Sequence, residues 1–488
     1  MEDSGFIDVP TCLENITPKW CEQALKKGGV IDSSIKVMEI KTDRLVNDET
    51  GALDGGGMTL AQMIRIHFTY DSQTDDLPKT CVAKTLMTGE LMFNLSLPFR
   101  MYMQAKYGSN TEEWFWRTDI LFYQECLPLI KHVYSHPKIY YTAIMDGGDR
   151  GYYSEVIRSN PHKIRTITLM EDMKGWESQT VGIHHPNFSE TVAILKNVAS
   201  LHGNFWGQKN KDVKEKFRPS PGSEMEVRNS YYSKKECKNR NKFLSTSSIL
   251  KNKLSNFVKQ WQSELTFSVK QSEAMPEWLR TESASEGIER IFILQNPSVL
   301  EMLDVFSERY SKFSTDYMKE FIELPPQTLV HGDFHNGNHM YQNNGDGSVK
   351  VVALDFQMVG TGMACSDLVK LLIWCRRHRN ISEEIELVKE YYEALANFEI
   401  ENYSYEDMKR DFVFAALEYM VIKLIKYENF GPEKYRKFIQ QLFGDEKCEE
   451  LMAKFKNGLD ASSILLVTSM YLNDKENFLK DLTFIENL

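Results

Sequence analysis

The chain has 488 residues, 42% hydrophobic and 26% charged, the make-up of an ordinary globular protein with room for two or three domains. A formal charge of −11 leaves no overall basic footprint for nucleic acid, no apolar run reaches the ~18 residues of a membrane span, and eight scattered cysteines form no C-x-x-C pair. The acidic opening "MEDSGFIDVP" lacks the basic character of a secretory or transit peptide, so a soluble cytoplasmic protein with reduced thiols is expected.

In chain order, residues 54–86 join the glycine turn of "DGGGMTLAQMIRIHFTY" to "TCVAKTL" through the polar loop "DSQTDDLPK", which predicts a β-hairpin. In "EEWFWRTDILFYQECLPLI" the period lengthens. Trp116, Ile120, Tyr123 and Leu127 recur at three to four residues, as on one face of a helix ending near Pro128. "HPKIYYTAIMDGG" and "RTITLMEDM" return to strand character. The helix predicted in "NFSETVAILKNVASLHGNFW" opens on a capping box of Asn187 and Glu190 and puts Val192, Leu195, Ala199 and His202 on one face. The polar stretch from about 208 to 290, with the basic run Lys234, Lys235, Lys238, Arg240 and Lys242, reads as a solvated insertion. Val299, Leu303, Phe306, Tyr310, Phe313, Tyr317 and Phe321 then mark a buried helix face. "NNGDG" links two short strands, the second running into "VVALDFQ", and helices fill the remainder.

The segment "LVHGDFHNGNHMY", residues 329–341, carries the chemistry. Its apolar approach reads as strand, and Gly332 and Gly337 interrupt any helix, so Asp333 falls on a loop. For the same reason His331, His335 and His339, four apart, do not line up as metal ligands, and His331 reads as a residue whose ring satisfies nearby backbone. From this loop Asp333 could accept a proton from a substrate hydroxyl while Asn338 offers an oxygen to magnesium. Asp355, seventeen residues further on, adds a carboxylate for a cation bridging ATP phosphates, and Lys84 in "CVAKTL" adds a point charge for those phosphates.

The ordered set "CVAKTL", "LMEDM", "VASLHGNFW", "HGDFHNGN" and "LDFQ" resembles the aminoglycoside-phosphotransferase and choline-kinase superfamily, and "LDFQ" with "LHGNFW" is most similar to its ecdysteroid-kinase-like branch. The resemblance implies an α+β, bilobal protein-kinase-like fold. A small β-rich lobe would span 1–172 and a larger helical lobe 173–488, with a catalytic hairpin at about 328–357. It implies an ATP- and magnesium-dependent kinase acting on a hydroxyl of a small metabolite, sterol-like or amino alcohol. Asp333 would be the base, Asn338 and Asp355 the magnesium ligands, and Lys84 the phosphate contact. Glu171 and Met173 would bind adenine through their backbones, and Gly56, Gly57 and Thr59 would cover the phosphates. Asp367 would brace the catalytic loop. Asp119 stands where such enzymes usually carry the glutamate that pairs with the strand lysine.

The alternatives divide on specific residues. A metallophosphatase would need an Asp-x-His upstream of its "GNH", and the only one here, "DFH", lies inside the same loop; a P-loop NTPase would need a Gly-Lys dipeptide, which the chain lacks. A pseudokinase that binds nucleotide or a small ligand without catalysis would be favoured by Asp119 and the atypical glycine turn. The presence of Asp333, Asn338, Asp355 and Lys84 together speaks against it. Only nine residues separate Gln357 from Asp367, and no Ala-Pro-Glu follows, so no platform for a peptide substrate is expected. Trp374, Tyr391 and Tyr392 are candidates for the apolar walls of an acceptor pocket, or for core.

Overall fold

The structure, a computed structural model, describes residues 7, 9–10, 15–45, 61–72, 74, 76–86, 118–145, 165–178, 186–217, 326–374, 381–430 and 440. Gly56, Gly57 and Thr59, most of the 208–290 stretch and the aromatic-striped segment 299–321 lie outside them. The chain forms two compact units. The first takes Met1–Val227, Thr328–Asp367 and Lys389–Glu401, and the second takes Arg228–Gln327, Leu368–Val388 and Asn402–Leu488.

The first unit is built on an antiparallel sheet of β1 (Val37–Arg44), β2 (Ala61–Tyr70), β3 (Thr80–Leu86), β4 (Ile139–Met145) and β5 (Arg165–Glu171), in the order β1-β2-β3-β5-β4. The expected hairpin is present, with Met63 opposite Lys84 and Ile66 opposite Cys81. Side chains alternate across a strand, so Cys81 and Ala83 enter the core on one face and Lys84 emerges on the other. That core packs Ile64, Ile66, Cys81, Ala83, Ile167 and Leu169 against Trp20, Cys21, Ala24 and Leu25 of helix α1 (Pro18–Lys27). Burying each large aliphatic side chain contributes about 1.5–3 kcal/mol. Neither α1 nor β1 is among the elements read from the sequence. Yet α1 starts on a recognisable signal, Thr17 accepting the Trp20 N–H with Pro18 in the first turn.

Helix α2 occupies 118–130 and contains a π turn, Phe122–Cys126, before its closing turn Leu127–Ile130. It ends two residues beyond Pro128. A proline ring clashes with the carbonyl four residues back in a regular α-helix, and the widened turn just before Pro128 relieves that conflict. Helix α3 (Phe188–Asn204) has the predicted capping box, with Asn187 Oδ1 accepting the Glu190 N–H and Glu190 Oε2 accepting the Asn187 N–H, both at 2.9 Å. It is buried on more than one face: Thr191, Ile194, Leu195, Val198, Ala199, Leu201 and His202 are enclosed, while Val192 is half-buried. Gly203 lies so close to Phe398 that an added Cβ would overlap its ring. A short helix α4 (Lys211–Lys214) follows.

Three small strand pairings complete this unit. β6 (Glu177–Ser178) pairs with β8 (His339–Asn343), β8 pairs with β9 (Val349–Ala353), and β7 (Gln327–Val330) pairs with β10 (Gly360–Met363). The β8–β9 hairpin closes through "NNGDG" as expected, with Gly347 at φ +82° and Asp346 Oδ1 accepting the Ser348 N–H. The second core cluster joins Phe122, Tyr123, Cys126 and Ile130 of α2 to Leu201, Phe205, Leu329, Ala353, Phe356 and Val359.

Helices α5 (Cys365–Trp374), α6 (Ile381–Ala396) and α7 (Tyr405–Phe430) follow. In the second unit α7 opens on a reciprocal cap, Asp407 accepting the Ser404 N–H and Ser404 Oγ accepting the Asp407 N–H. No helix among the described residues is long and apolar enough to cross a membrane.

Candidate active site

Lys84 leaves the middle of the sheet on the face opposite α1 and ends between two carboxylates, 2.9 Å from Asp119 Oδ2 and 2.7 Å from Asp355 Oδ1. Burial alone would push its proton off. The two negative charges outweigh that effect and raise its pKa above the ordinary lysine value, so Lys84 is a fixed cation. Asp119 also accepts the Phe356 N–H through Oδ1 at 3.0 Å, tying α2 to the residue after Asp355. The Phe356 ring stacks on Phe122 at 4.1 Å between centroids.

Asp355 has φ +61° and ψ +71°, left-handed backbone that costs a residue with a Cβ on the order of 1 kcal/mol or more. The anchored Phe356 on one side and Lys84 with Gln357 Nε2, at 3.1 Å, on the carboxylate hold that conformation. It turns the carboxylate out of the end of β9.

Asp333 sits on the loop after β7, as expected, with its side chain 43% exposed. Two backbone amides at the root of this loop, His331 N–H and Gly332 N–H, donate to the buried Asp367 carboxylate at 2.6 and 3.0 Å, and Gly332 takes φ +82°. Asp367 thus braces the loop. Asn338 Nδ2 donates to the Asp333 carbonyl at 2.8 Å, and Leu354 N–H donates to the Asn338 carbonyl at 2.9 Å, so the loop is fastened beside Asp355.

Two of the three loop histidines are scaffold, while His335 Nε2 lies 3.6 Å from the Asp333 carboxylate. His331 Nε2 donates to the Leu354 carbonyl at 2.8 Å, the backbone-satisfying part read for it, and His339 Nδ1 donates to the His335 carbonyl at 2.9 Å. Burial lowers the pKa of both, that of His339 to about 3 with His331 adding to the effect, so both rings are neutral and serve no acid–base chemistry near pH 7.

Three contributions escaped the sequence. His202, read as a packing residue, is fully buried and bridges Asp367 Oδ2, 3.2 Å from Nε2, to the Tyr391 hydroxyl, 2.7 Å from Nδ1. A carboxylate only accepts, so Nε2 carries a proton toward Asp367, and in the neutral ring Nδ1 accepts one from Tyr391. Tyr391 is therefore core and not pocket wall; Trp374 lies in α5 with its side chain outside the described set. Arg65 of β2 grips Asp172 with two hydrogen bonds, 2.7 and 3.1 Å, and so fixes the backbone between Glu171 and Met173. No short-range pattern announces a pair 107 residues apart.

Glu171 and Met173 lie where β5 ends. Glu171 N–H donates to the Lys138 carbonyl at 2.8 Å, while Met173 N–H meets no acceptor among the described residues. A cavity of about 510 Å³ adjoins this segment, lined by His136, Lys138, Trp176 and Val352 together with Glu171 and Met173, and not by Lys84, Asp333 or Asp355.

The donor chemistry suits a hard divalent cation. Asn338 spends its amide nitrogen on Asp333 and has its oxygen left, and Asp355 supplies a carboxylate. No cluster of three His, Cys, Asp or Glu suited to a metal occurs among the described residues.

An α+β architecture, a five-stranded antiparallel sheet bearing a paired lysine and a loop-and-hairpin bearing Asp333, Asn338 and Asp355 define a protein-kinase-like fold. More narrowly, residues 56–405 match the ecdysteroid kinase-like family, and the chain belongs to it. Among solved structures it is similar to an ethanolamine kinase from Plasmodium vivax, with 11% identity, TM-score 0.36, and 92% of this chain and 94% of that one covered. A microcompartment-associated aminopropanol kinase gives 11% identity and TM-score 0.35 over 93% and 98%. A choline kinase from Streptococcus pneumoniae gives 10% and 0.29 over 83% and 93%. No curated protein sequence matches the chain.

Proposed function

We propose that this protein transfers the γ-phosphoryl group of ATP to a hydroxyl of a small molecule, in a magnesium-dependent reaction. The observation that carries the reading is Lys84 held between Asp119 and Asp355, with Asp355 fastened beside the loop of Asp333 and Asn338. Lys84 would meet the α- and β-phosphates. Adenine would take the Met173 N–H and the Glu171 carbonyl, Gly56, Gly57 and Thr59 would cover the phosphates, and Asp333 would orient the acceptor hydroxyl and take its proton. Asn338 and Asp355 would hold magnesium, which when bound offsets negative charge on the phosphates. The lobe boundary near residue 172, the hairpin at 328–357 and a cytoplasmic location belong to the same proposal.

The pseudokinase reading rested partly on Asp119. The shorter side chain nevertheless reaches Lys84, which removes that support. The short span between Gln357 and Asp367 favours a small acceptor over a peptide. With Tyr391 committed to His202, Tyr392 and Trp374 are left as aromatic candidates for a lipophilic alcohol or an amino alcohol.

Labelled ATP, magnesium and a panel of sterols, amino alcohols, aminoglycosides and generic protein substrates test the reading. Transfer to a small alcohol is expected. Transfer to protein alone overturns the small-molecule acceptor, and a melting temperature unmoved by ATP with magnesium overturns the nucleotide site.

A further inference from the structure

Alternation along β2 divides its side chains between two faces of the sheet. Ile64 and Ile66 enter the core that α1 closes, so Arg65 stands on the opposite face, the one from which Lys84 emerges. The register agrees: Met63 is opposite Lys84, Arg65 is opposite Val82, and Val82 is in turn opposite Met170 of β5. Toward β5, then, the charged side chain of Arg65 has only the apolar Val82 and Met170 beside it in its row.

Neighbouring strands lie about 4.8 Å apart and β3 separates β2 from β5, so the Arg65 side chain must run across the sheet over Val82 to reach the end of β5. There its Nε donates to Asp172 Oδ2 at 2.7 Å and its Nη2 to Asp172 Oδ1 at 3.1 Å. Two bonds to one carboxylate fix the plane of a guanidinium as well as its position. Asp172 is almost wholly enclosed, with its side chain 3% exposed, whereas that of Arg65 keeps 26%. The pair therefore holds a flat cation on the Lys84 face, beside the segment that joins Glu171 to Met173, with part of its surface open.

On the reading that ATP binds with its purine at Glu171 and Met173 and its phosphates at Lys84, the base lies along the part of the sheet that Arg65 crosses. We propose that the Arg65 guanidinium stacks on the purine, with Asp172 as the positioning residue that holds it flat. A guanidinium is planar, weakly hydrated and attracted to an aromatic face, so it suits a base better than the compact ammonium of lysine does. Such a contact meets the π face of the base and not its edge. It adds affinity without choosing among purines.

Adenosine and magnesium tripolyphosphate separate the base from the phosphates, and titration calorimetry measures the binding of each. Arg65→Met should weaken adenosine about tenfold and leave tripolyphosphate unchanged. Arg65→Lys keeps a charge beside Asp172 but lacks the plane, so it should weaken adenosine by a similar factor. Asp172→Asn, which keeps the guanidinium and an acceptor for it, should cost less. In the parent, the Arg65 Nε–H resonance, assigned by its loss in Arg65→Lys, should move upfield when adenosine binds, as a proton over an aromatic ring does, and stay in place with tripolyphosphate. That shift is read in the parent and carries the test should Arg65→Met not fold. Parental adenosine affinity in Arg65→Lys, an equal loss of tripolyphosphate affinity in Arg65→Met, a loss in Asp172→Asn as large as in Arg65→Lys, or a resonance unmoved by bound adenosine overturns the stack while the kinase reading stands. A parent that binds neither adenosine nor ADP with magnesium overturns the nucleotide reading and this contact with it.

Discussion

Strand β2 and the loop after β7 are both enclosed within one compact unit, yet they are held by unlike means. In β2, Ile64 and Ile66 pack into a core that α1 closes, and each contributes separately through buried area. In the loop the fastening is polar and shared: Asp367 alone receives His331 N–H, Gly332 N–H and the imidazole of His202. Removing a methyl from the sheet leaves its other contacts in place. Removing the Asp367 carboxylate leaves several buried donors unpaired at once, so the loop concentrates its dependence on a few atoms.

That contrast can be broken most directly at Asp367. Asp367→Ala should lose about 3–5 kcal/mol, since buried donors lose their acceptor, and a urea melt measures it. A loss as small as that of a sheet methyl would abolish the distinction. Asp333→Asn sharpens it within the loop by separating fastening from chemistry. Its side chain is 43% exposed, so stability should hardly move, while turnover should fall ~10²-fold or more with ATP binding retained. Parental turnover would remove Asp333 from the mechanism.

On the sheet side, Ile66→Val should cost about 1 kcal/mol, the usual result of one deleted buried methyl, and leave kinetics unaltered. A pH-dependent case concerns a buried carboxylate without such a cradle. Asp411 accepts a good hydrogen bond from Tyr403, 2.8 Å, with Arg410 at 3.5 Å, and burial pushes its pKa up from 3.8 to about 6. Between those values the folded state holds more protons than the unfolded one, so Asp411 favours folding below about pH 4 and this contribution is lost as pH rises through 6. Asp411→Asn should therefore gain on the parent by about 2–3 kcal/mol between pH 4 and 7. A stability difference independent of pH would refute this.

The same contrast explains what could be read from the chain. The β2–β3 hairpin and the caps of α3 depend on neighbouring residues and are legible, and the start of α1 carries a local signal of the same kind at Thr17 and Pro18. Lys84, Asp333, Asn338 and Asp355 stand out as candidates by residue type and spacing, because a proton acceptor and hard oxygen donors admit few substitutes. What held them was hidden. His202, Tyr391 and Arg65 act on partners more than a hundred residues away, and the π turn is a defect of the helix ladder selected by the packing of Phe122 and Tyr123 on Phe356. Pattern within a window does not carry such information.

The close approach of Gly203 to Phe398 makes the two positions interdependent in any line of descent. A side chain at 203 has no room while the ring is present, so Gly203→Ala alone should be purged, whereas the same change after Phe398→Ala finds space already cleared. The order of the two steps is therefore constrained: the aromatic must shrink before the glycine can grow, and in a set of relatives the two sites should change together or not at all.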